Sequence, residues 1–505
     1  MKLILLNPYF GRVKNRSEEA ATNAPPLGLG HLGTYVRDHS DCQVEIVDPV
    51  PQGLSEEDVL EKARDADIVG LGCFTDTRFT CLDFGRKIKE INPGCTLILG
   101  GPFVYFLDSL VLERYPFVDV IVRGEGEYTA MDIVKGKSLD EIEGIAYRGD
   151  GRPVRTPDRP LEKDIDDFYV DYGLLPDFSL YRSEIEGDFN TKQLRTASMI
   201  LSRGCPFRCT YCANDHWQRT WRIISPEAAV SRICILKEEH GIEFIRFFDD
   251  LFTLREDWVR RFCEILRQRN VEIKFRVLSR VGTKPDVLRS LKEVGCTGVG
   301  LGIESGSDKM LAKIRKGFTS QQAEEMIATC KELGLWTVCS FIISLPGETS
   351  EDRKKTLELA YNTDFFVVNV LHLHPGTPLY NELKAKGQVQ DEVWFDKDMP
   401  TTIHYCKDHF QDAPLWLKEA QWISLRARYA EILANPRKKF KQYGLIMGCV
   451  WIIFALIDIP LRGRLYKCSF GFRKIYRRLL WRGGKGEQAH SVSRKKQLPE
   501  HVQVQ

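Results

Sequence analysis

The 505-residue sequence predicts an α/β chain: a doubly wound parallel sheet, then a full or partial β/α barrel, then a helical extension. Three observations predict it. Short apolar runs alternate with amphipathic stretches over residues 1–150. The alternation resumes in six repeats over 198–385. The remaining C-terminal stretch is rich in Trp and Tyr and ends strongly basic.

In the first region Leu3–Leu6, Val44–Val47, Ile68–Leu71, Thr96–Leu99 and Val118–Val122 read as buried strands. Both faces of a parallel sheet are covered, so its strands are apolar throughout. Ser55–Ala66 and Cys81–Ile91 carry the amphipathic pattern of crossover helices. A Rossmann-like sheet of this kind takes its ligand at the carboxyl ends of the strands. Residues 151–193, with Pro153, Pro157, Pro160 and Pro176 among scattered acids, read as a linker. In 194–385 strands are expected at Ser198–Ser202, Phe244–Phe248, Lys274–Val277, Gly298–Ile303, Thr337–Ile343 and Phe366–Leu371. Helices fit Glu227–Glu239, Glu256–Arg269, Pro285–Val294, Ser320–Leu333 and Ser350–Tyr361. Six such repeats suit a partial (β/α)6, TIM-like barrel with its chemistry at the strand ends. Residues 386–482 are expected to be mostly helical and 483–505 disordered.

Composition narrows the setting. Fifteen cysteines without an evident export signal suit a reducing cytosol, where they serve as metal ligands or core residues rather than disulfides. From Pro436 onward sixteen basic residues face three acidic ones, a net of +13, so the first 435 residues carry −11 of the total +2. Within that basic end, 443–457 is an apolar run of fifteen residues, shorter than the roughly 20 that a spanning helix needs. It suits an anchor on the inner face of a membrane, a short inserted helix, or a helix packed on the barrel. Nucleic-acid binding would leave the apolar run without a role.

The chemistry begins at Cys205-Pro-Phe-Arg-Cys209-Thr-Tyr-Cys212, directly after the first barrel strand. Three thiolates on one loop can hold three irons of a 4Fe-4S cluster and leave the fourth open to a ligand. A zinc site with His216 as a fourth ligand is the alternative reading. The loop, with Tyr211 before its last cysteine, resembles the signature of the radical SAM superfamily. The resemblance implies that the open iron chelates S-adenosylmethionine, whose reductive cleavage gives a 5′-deoxyadenosyl radical.

Further segments carry the same resemblance. Asp249 and Asp250 close the second strand, where carboxylates could accept from the ammonium group of S-adenosylmethionine; a helix cap is the plainer role. Arg280 after the third strand could fork onto its carboxylate. Glu304 and Ser305, between Gly300, Gly302 and Gly306, match the segment near ribose and the methionyl part. Ser344 lies in a segment resembling the one beside adenine. His372 and His374, ahead of a Pro-Gly-Thr segment, read as structural.

In the first region, Pro25–Gly30, Asp67–Gly72, Ile98–Pro102 and Val122–Glu127 resemble radical SAM proteins that carry a cobalamin-binding domain. The implied contacts are Thr75, Gly100, Gly101, Gly124, Glu125 and Gly126. The loop after the first strand, Asn7–Arg12, has no histidine, so cobalt is expected without a protein histidine ligand; His31 reads as a packing or surface residue. Together these features imply a cobalamin-dependent enzyme methylating an unactivated carbon of a hydrophobic substrate. It would take electrons from a donor such as flavodoxin or ferredoxin. A radical SAM oxidative cyclase and a non-catalytic cobalamin or redox sensor are the alternatives.

Overall fold

The computed structural model describes residues 1–8, 24–181, 194–213 and 220–396, the backbone of 403–404, and positions 452 and 456. Both sheets lie within the unit Met1–Ala420. Segment 443–457 and the expected tail over 483–505 fall outside the described residues, apart from those two positions. Among the described residues no helix is long and apolar enough to cross a membrane.

The first sheet has seven strands: β1 (Lys2–Leu6), β2 (Gln43–Val47), β3 (Ile68–Gly72), β4 (Thr96–Gly100), β5 (Val120–Val122), β6 (Ile145–Gly149) and β7 (Arg152–Arg155). Their order is β2-β1-β3-β4-β5-β6-β7. The first five pair in parallel, as their apolar runs predict, and β6 and β7 extend the sheet antiparallel. Helices α1 (Leu27–His39), α2 (Glu56–Ala63), α3 (Arg78–Ile91) and α4 (Pro102–Arg114) make the crossovers, and α5 (Glu127–Val134) leads into the antiparallel β6. The expected boundary at 150 falls inside a hairpin. Asp150 and Gly151 have φ of 48° and 77°, the left-handed pair that joins two antiparallel strands in a tight turn.

The second sheet is a six-stranded, all-parallel partial barrel. Its strands run in chain order: β8 (Thr196–Met199), β11 (Phe244–Phe247), β12 (Lys274–Ser279), β13 (Cys296–Glu304), β14 (Trp336–Ile343) and β15 (Phe365–Val370). Between β8 and β11 a two-stranded hairpin stands apart, β9 (Ser202–Arg203) with β10 (Arg222–Ile223). The single strand expected over Ser198–Ser202 is thus two. Helices α6 (Pro226–His240), α7 (Glu256–Gln268), α8 (Pro285–Glu293), α9 (Asp308–Lys313), α10 (Ser320–Glu332) and α11 (Ser350–Ala360) accompany them, and α9 is one the sequence did not announce. Strand β16 (His372–Leu373), helix α12 (Pro378–Ala385) and β17 (Ile403–His404) come after β15.

One hydrophobic core spans both sheets. Leu71, Leu99, Phe103 and Val104 of the first region pack with Met310, Ile314, Tyr380 and Trp394 of the second. Arg78, fully buried, donates through Nε to the Trp394 carbonyl at 2.7 Å and through Nη1 to the Thr75 carbonyl. Burial pushes this guanidinium down to about 10. A buried cation held on backbone carbonyls fixes α3 against the end of the barrel chain.

Candidate active site

The cluster loop leaves β9 through Gly204, whose φ of 83° suits glycine. Its root is set by Asp249 at the end of β11. One carboxylate oxygen, Oδ1, accepts from Leu201 N at 2.8 Å, Ser202 N at 2.5 Å and Ser202 Oγ at 2.6 Å. Downstream, Thr210 N donates to Ile314 O at 3.1 Å, and Leu379 N donates to Thr210 O at 2.8 Å. The loop is therefore pinned from three directions. Cys209 is buried, Cys205 and Cys212 are partly exposed, and none of the three is in a disulfide. Burial pushes the Cys205 thiol up, with the Asp250 charge adding to it and Arg280 opposing.

Three cysteines on one short, braced loop fit a cluster held through three of its irons. Among the described residues no three His, Cys, Asp or Glu side chains are already gathered around one metal position, the three loop cysteines included, so the cluster reading rests on their spacing and the bracing of the loop. His216 lies outside the described residues.

Around this loop the expected S-adenosylmethionine residues divide. Tyr211 packs against the shared core, with its hydroxyl 3.4 Å from Lys316 Nζ. Burial raises the Tyr211 hydroxyl above its usual range, and the nearby Glu304 charge adds to the rise. Glu304 ends β13 at φ 73°, nearly buried, with Lys316 Nζ at 3.6 Å and Ser340 Oγ at 3.5 Å. Arg280 lies over the Phe207 ring of the cluster loop at 3.6 Å. Ser344 has φ 65°, and its buried Oγ has no hydrogen-bond partner among the described residues. Such an orphaned hydroxyl at a strand end fits a bound ligand. Asp250 is exposed beside Cys205.

Two expectations change. Ser305 is fully buried and bonds Thr356 Oγ1 of α11 at 3.1 Å, so its hydroxyl ties a helix to the barrel. Asp249 is 1% exposed with Oδ1 committed to the loop root, which leaves Oδ2 without a hydrogen-bond partner among the described residues. Its first role is to shape the loop. Lys316 is the residue sequence reading missed; no motif or spacing marks it.

The expected cobalamin contacts divide in the same way. At Gly100 and Gly124 a β-carbon would meet nothing within 4 Å among the described residues, which suits the approach of a large ligand at the ends of β4 and β5. Gly101 is different: at φ 110°, its β-carbon would lie 2.7 Å from Cys73 O, which makes it a close-packing glycine. Gly126 packs on Leu32 of α1, 2.6 Å from its would-be β-carbon. The Glu125 carboxylate is engaged by arginines. It pairs with Arg222 at 2.7 Å and Arg203 at 3.2 Å, while Glu127 pairs with Arg203 at 2.5 Å. These four nearly buried side chains join the first sheet to the β9–β10 hairpin. Thr75 Oγ1 lies 3.5 Å from His374 Nδ1, a second junction, where burial lowers the imidazole below its usual range. His31 is a packing residue, 7% exposed and pushed down to about 3 by burial.

The strand-end glycines and the thiol loop agree with comparisons to known proteins. Residues 199–360 match the radical SAM superfamily, and 16–134 match the B12 binding domain. An uncharacterized methyltransferase of Pyrococcus horikoshii is 33% identical over 405 residues, 78% of this chain and 85% of that protein. An anaerobic magnesium-protoporphyrin IX monomethyl ester cyclase of Rubrivivax gelatinosus is 30% identical over 409 residues, covering 77% and 71%. In fold, the chain resembles the cobalamin-dependent S-adenosylmethionine radical enzyme OxsB with aqua-cobalamin and S-adenosylmethionine bound. That likeness has a TM-score of 0.66 at 20% identity over 95% of this chain and 75% of that one. The methyltransferase TsrM of Kitasatospora setae gives 0.64 at 19% identity over 76% of each. The chain belongs to the radical SAM superfamily, in the branch whose members carry an N-terminal cobalamin-binding domain.

Proposed function

We propose that this cobalamin-dependent radical SAM enzyme methylates an unactivated carbon of a hydrophobic, lipid-like substrate. The observation that carries the reading is the pair of junctions between the sheets. Glu125 and Glu127 grip the hairpin from which the cluster loop springs, and Thr75 meets His374 at the end of the barrel strands. Groups bound at the strand ends of the two sheets would then be neighbours. When bound, cobalamin supplies a transferable methyl group, and the cluster with S-adenosylmethionine supplies hydrogen abstraction.

The chain's own part is to bind, orient and shield. Cys205, Cys209 and Cys212 would hold the cluster, and Arg280, Glu304, Ser344 and Oδ2 of Asp249 would receive S-adenosylmethionine. Gly100 and Gly124 would leave room for cobalamin. Phe248, 42% exposed, and Leu278, 39% exposed, present apolar surface at β11 and β12 and support an apolar substrate. The basic flanks of 443–457 support a place at an anionic membrane surface and access to lipid. A flavodoxin or ferredoxin would serve as reductant.

The test is anaerobic. Reconstituted enzyme, cobalamin, a strong reductant and S-adenosylmethionine with a deuterated methyl group are incubated with extracted membrane lipids, beside a Cys209→Ala control. A deuterated lipid together with 5′-deoxyadenosine and S-adenosylhomocysteine supports the proposal. Deoxyadenosine with a dehydrogenated, ring-closed product and no methyl transfer would favour the second reading, an oxidative cyclase, to which the cyclase relative points.

A further inference from the structure

Lys316 belongs to no motif, yet its surroundings are built with care. Helix α9 ends at Lys313, and the chain then turns through Arg315 at φ 58° and Gly317 at φ 72°. A non-glycine residue held in the left-handed region is strained, and surrounding structure must hold it there. Here that structure is the cluster loop: Ile314 O accepts from Thr210 N at 3.1 Å, and Arg315 O lies 3.9 Å from Cys209 Sγ. The turn delivers Lys316 inward, 6% exposed, between Glu304 Oε1 at 3.6 Å and Tyr211 Oη at 3.4 Å. Its ammonium lies 5.7 Å from the centre of the Phe318 ring, which also lies 5.4 Å from Arg280.

A buried ammonium costs free energy unless its donors are used. Its partners here are long, and one of them, Glu304, is itself left-handed at φ 73°. Glu304 comes from β13 and Tyr211 from the cluster loop, so one cation links the strand end to the loop.

We propose that Lys316 is a positioning residue for S-adenosylmethionine, holding Glu304 against Tyr211 so that the ligand's ribose and methionyl donors meet that carboxylate in register with the cluster. The proposal rests on the reading of Glu304 as a contact of S-adenosylmethionine.

The experiment uses reconstituted full-length enzyme with a strong chemical reductant and follows 5′-deoxyadenosine formation against S-adenosylmethionine concentration, with no second substrate. Iron and sulfide content is measured alongside, as is the change that S-adenosylmethionine makes in the reduced cluster's electron paramagnetic resonance spectrum. Lys316→Met should keep the cluster, raise KM at least about tenfold, leave kcat within about twofold, and shift the spectral titration equally. Lys316→Arg should restore most of the affinity. An unchanged KM with an intact cluster, or a fall in kcat alone, overturns the proposal. Should Lys316→Met lose its cluster, Lys316→Gln carries the same expectation and the same overturning result. Glu304→Gln separates the underlying reading: if its KM is unchanged, Glu304 is no contact, whatever Lys316 does.

Discussion

Removing Glu127 tests whether the two sheets are joined by charge. Glu127 and Arg203 face each other through two contacts, 2.5 Å and 3.2 Å, with side chains only 6% and 12% exposed. Burial works to raise the Glu127 carboxyl, and the Arg203 guanidinium overrides it, holding the group below its usual range. Unit charges with centres about 4 Å apart at an effective dielectric of about 20 attract by about 4 kcal/mol. Breaking a buried pair by deleting one partner costs about 3–5 kcal/mol, because the other charge is left stranded. Arg203 keeps Glu125 at 3.2 Å, so Glu127→Ala should cost about 3 kcal/mol, the low end of that range. The assay is anaerobic denaturant unfolding of the parent, Glu127→Ala, Arg203→Ala and the double variant. A coupling energy of about 2 kcal/mol or more is expected between them. Iron incorporation should fall in both single variants, since Arg203 immediately precedes Gly204 and Cys205. Additive effects, with coupling below about 0.5 kcal/mol, would refute the argument that this pair, rather than the shared apolar core, fastens the hairpin.

Other outcomes rest on the same geometry. His31 is neutral when folded down to pH about 3 but takes a proton near 6.5 when unfolded, so its contribution is lost as pH falls through that window. His31→Phe should therefore gain on the parent by about 1.4 kcal/mol per pH unit on acidification below 6.5, read from unfolding curves. Burial raises Asp249 to about 6, so the sign is opposite: this group contributes stability below pH 4 that is lost as pH rises to 6. Asp249→Asn, which keeps an acceptor for Leu201 and Ser202, should gain on the parent over that rise. Asp249→Ala strands three donors and should cost about 2–4 kcal/mol and most of the bound iron. Gly100→Ala should fold like the parent yet retain less cobalamin through gel filtration. Gly101→Ala, 2.7 Å from a backbone oxygen, should lower thermal stability itself.

The strands were legible because a covered parallel sheet writes itself as apolar runs, and ten of the strands in the two sheets fall on the predicted runs or within a residue or two of them. The hairpin β6–β7 was missed although Asp150-Gly151 is a strong local turn signal; scattered prolines beside it masked the alternation. The cluster cysteines were legible because their spacing is local. The ion pair of Glu125 was not legible because its partner, Arg222, is 97 residues on, and a linear reading has no access to such a pairing. The tie from Ser305 was hidden for a similar reason: its partner, Thr356, is 51 residues away. Lys316 was invisible because the turn that buries it has no hydrophobic period.

The shared core also constrains how the chain is made. Arg78 emerges from the ribosome 316 residues before Trp394, whose carbonyl it binds. At about 5–20 residues per second, that face of α3 waits roughly 16–60 s for its cover. During synthesis the first sheet is thus an unfinished surface with a buried-type arginine and apolar flank in water. Truncations that stop before residue 394 should be sticky, chaperone-bound fragments, and the cobalamin-binding part should resist being cut out as an independent module.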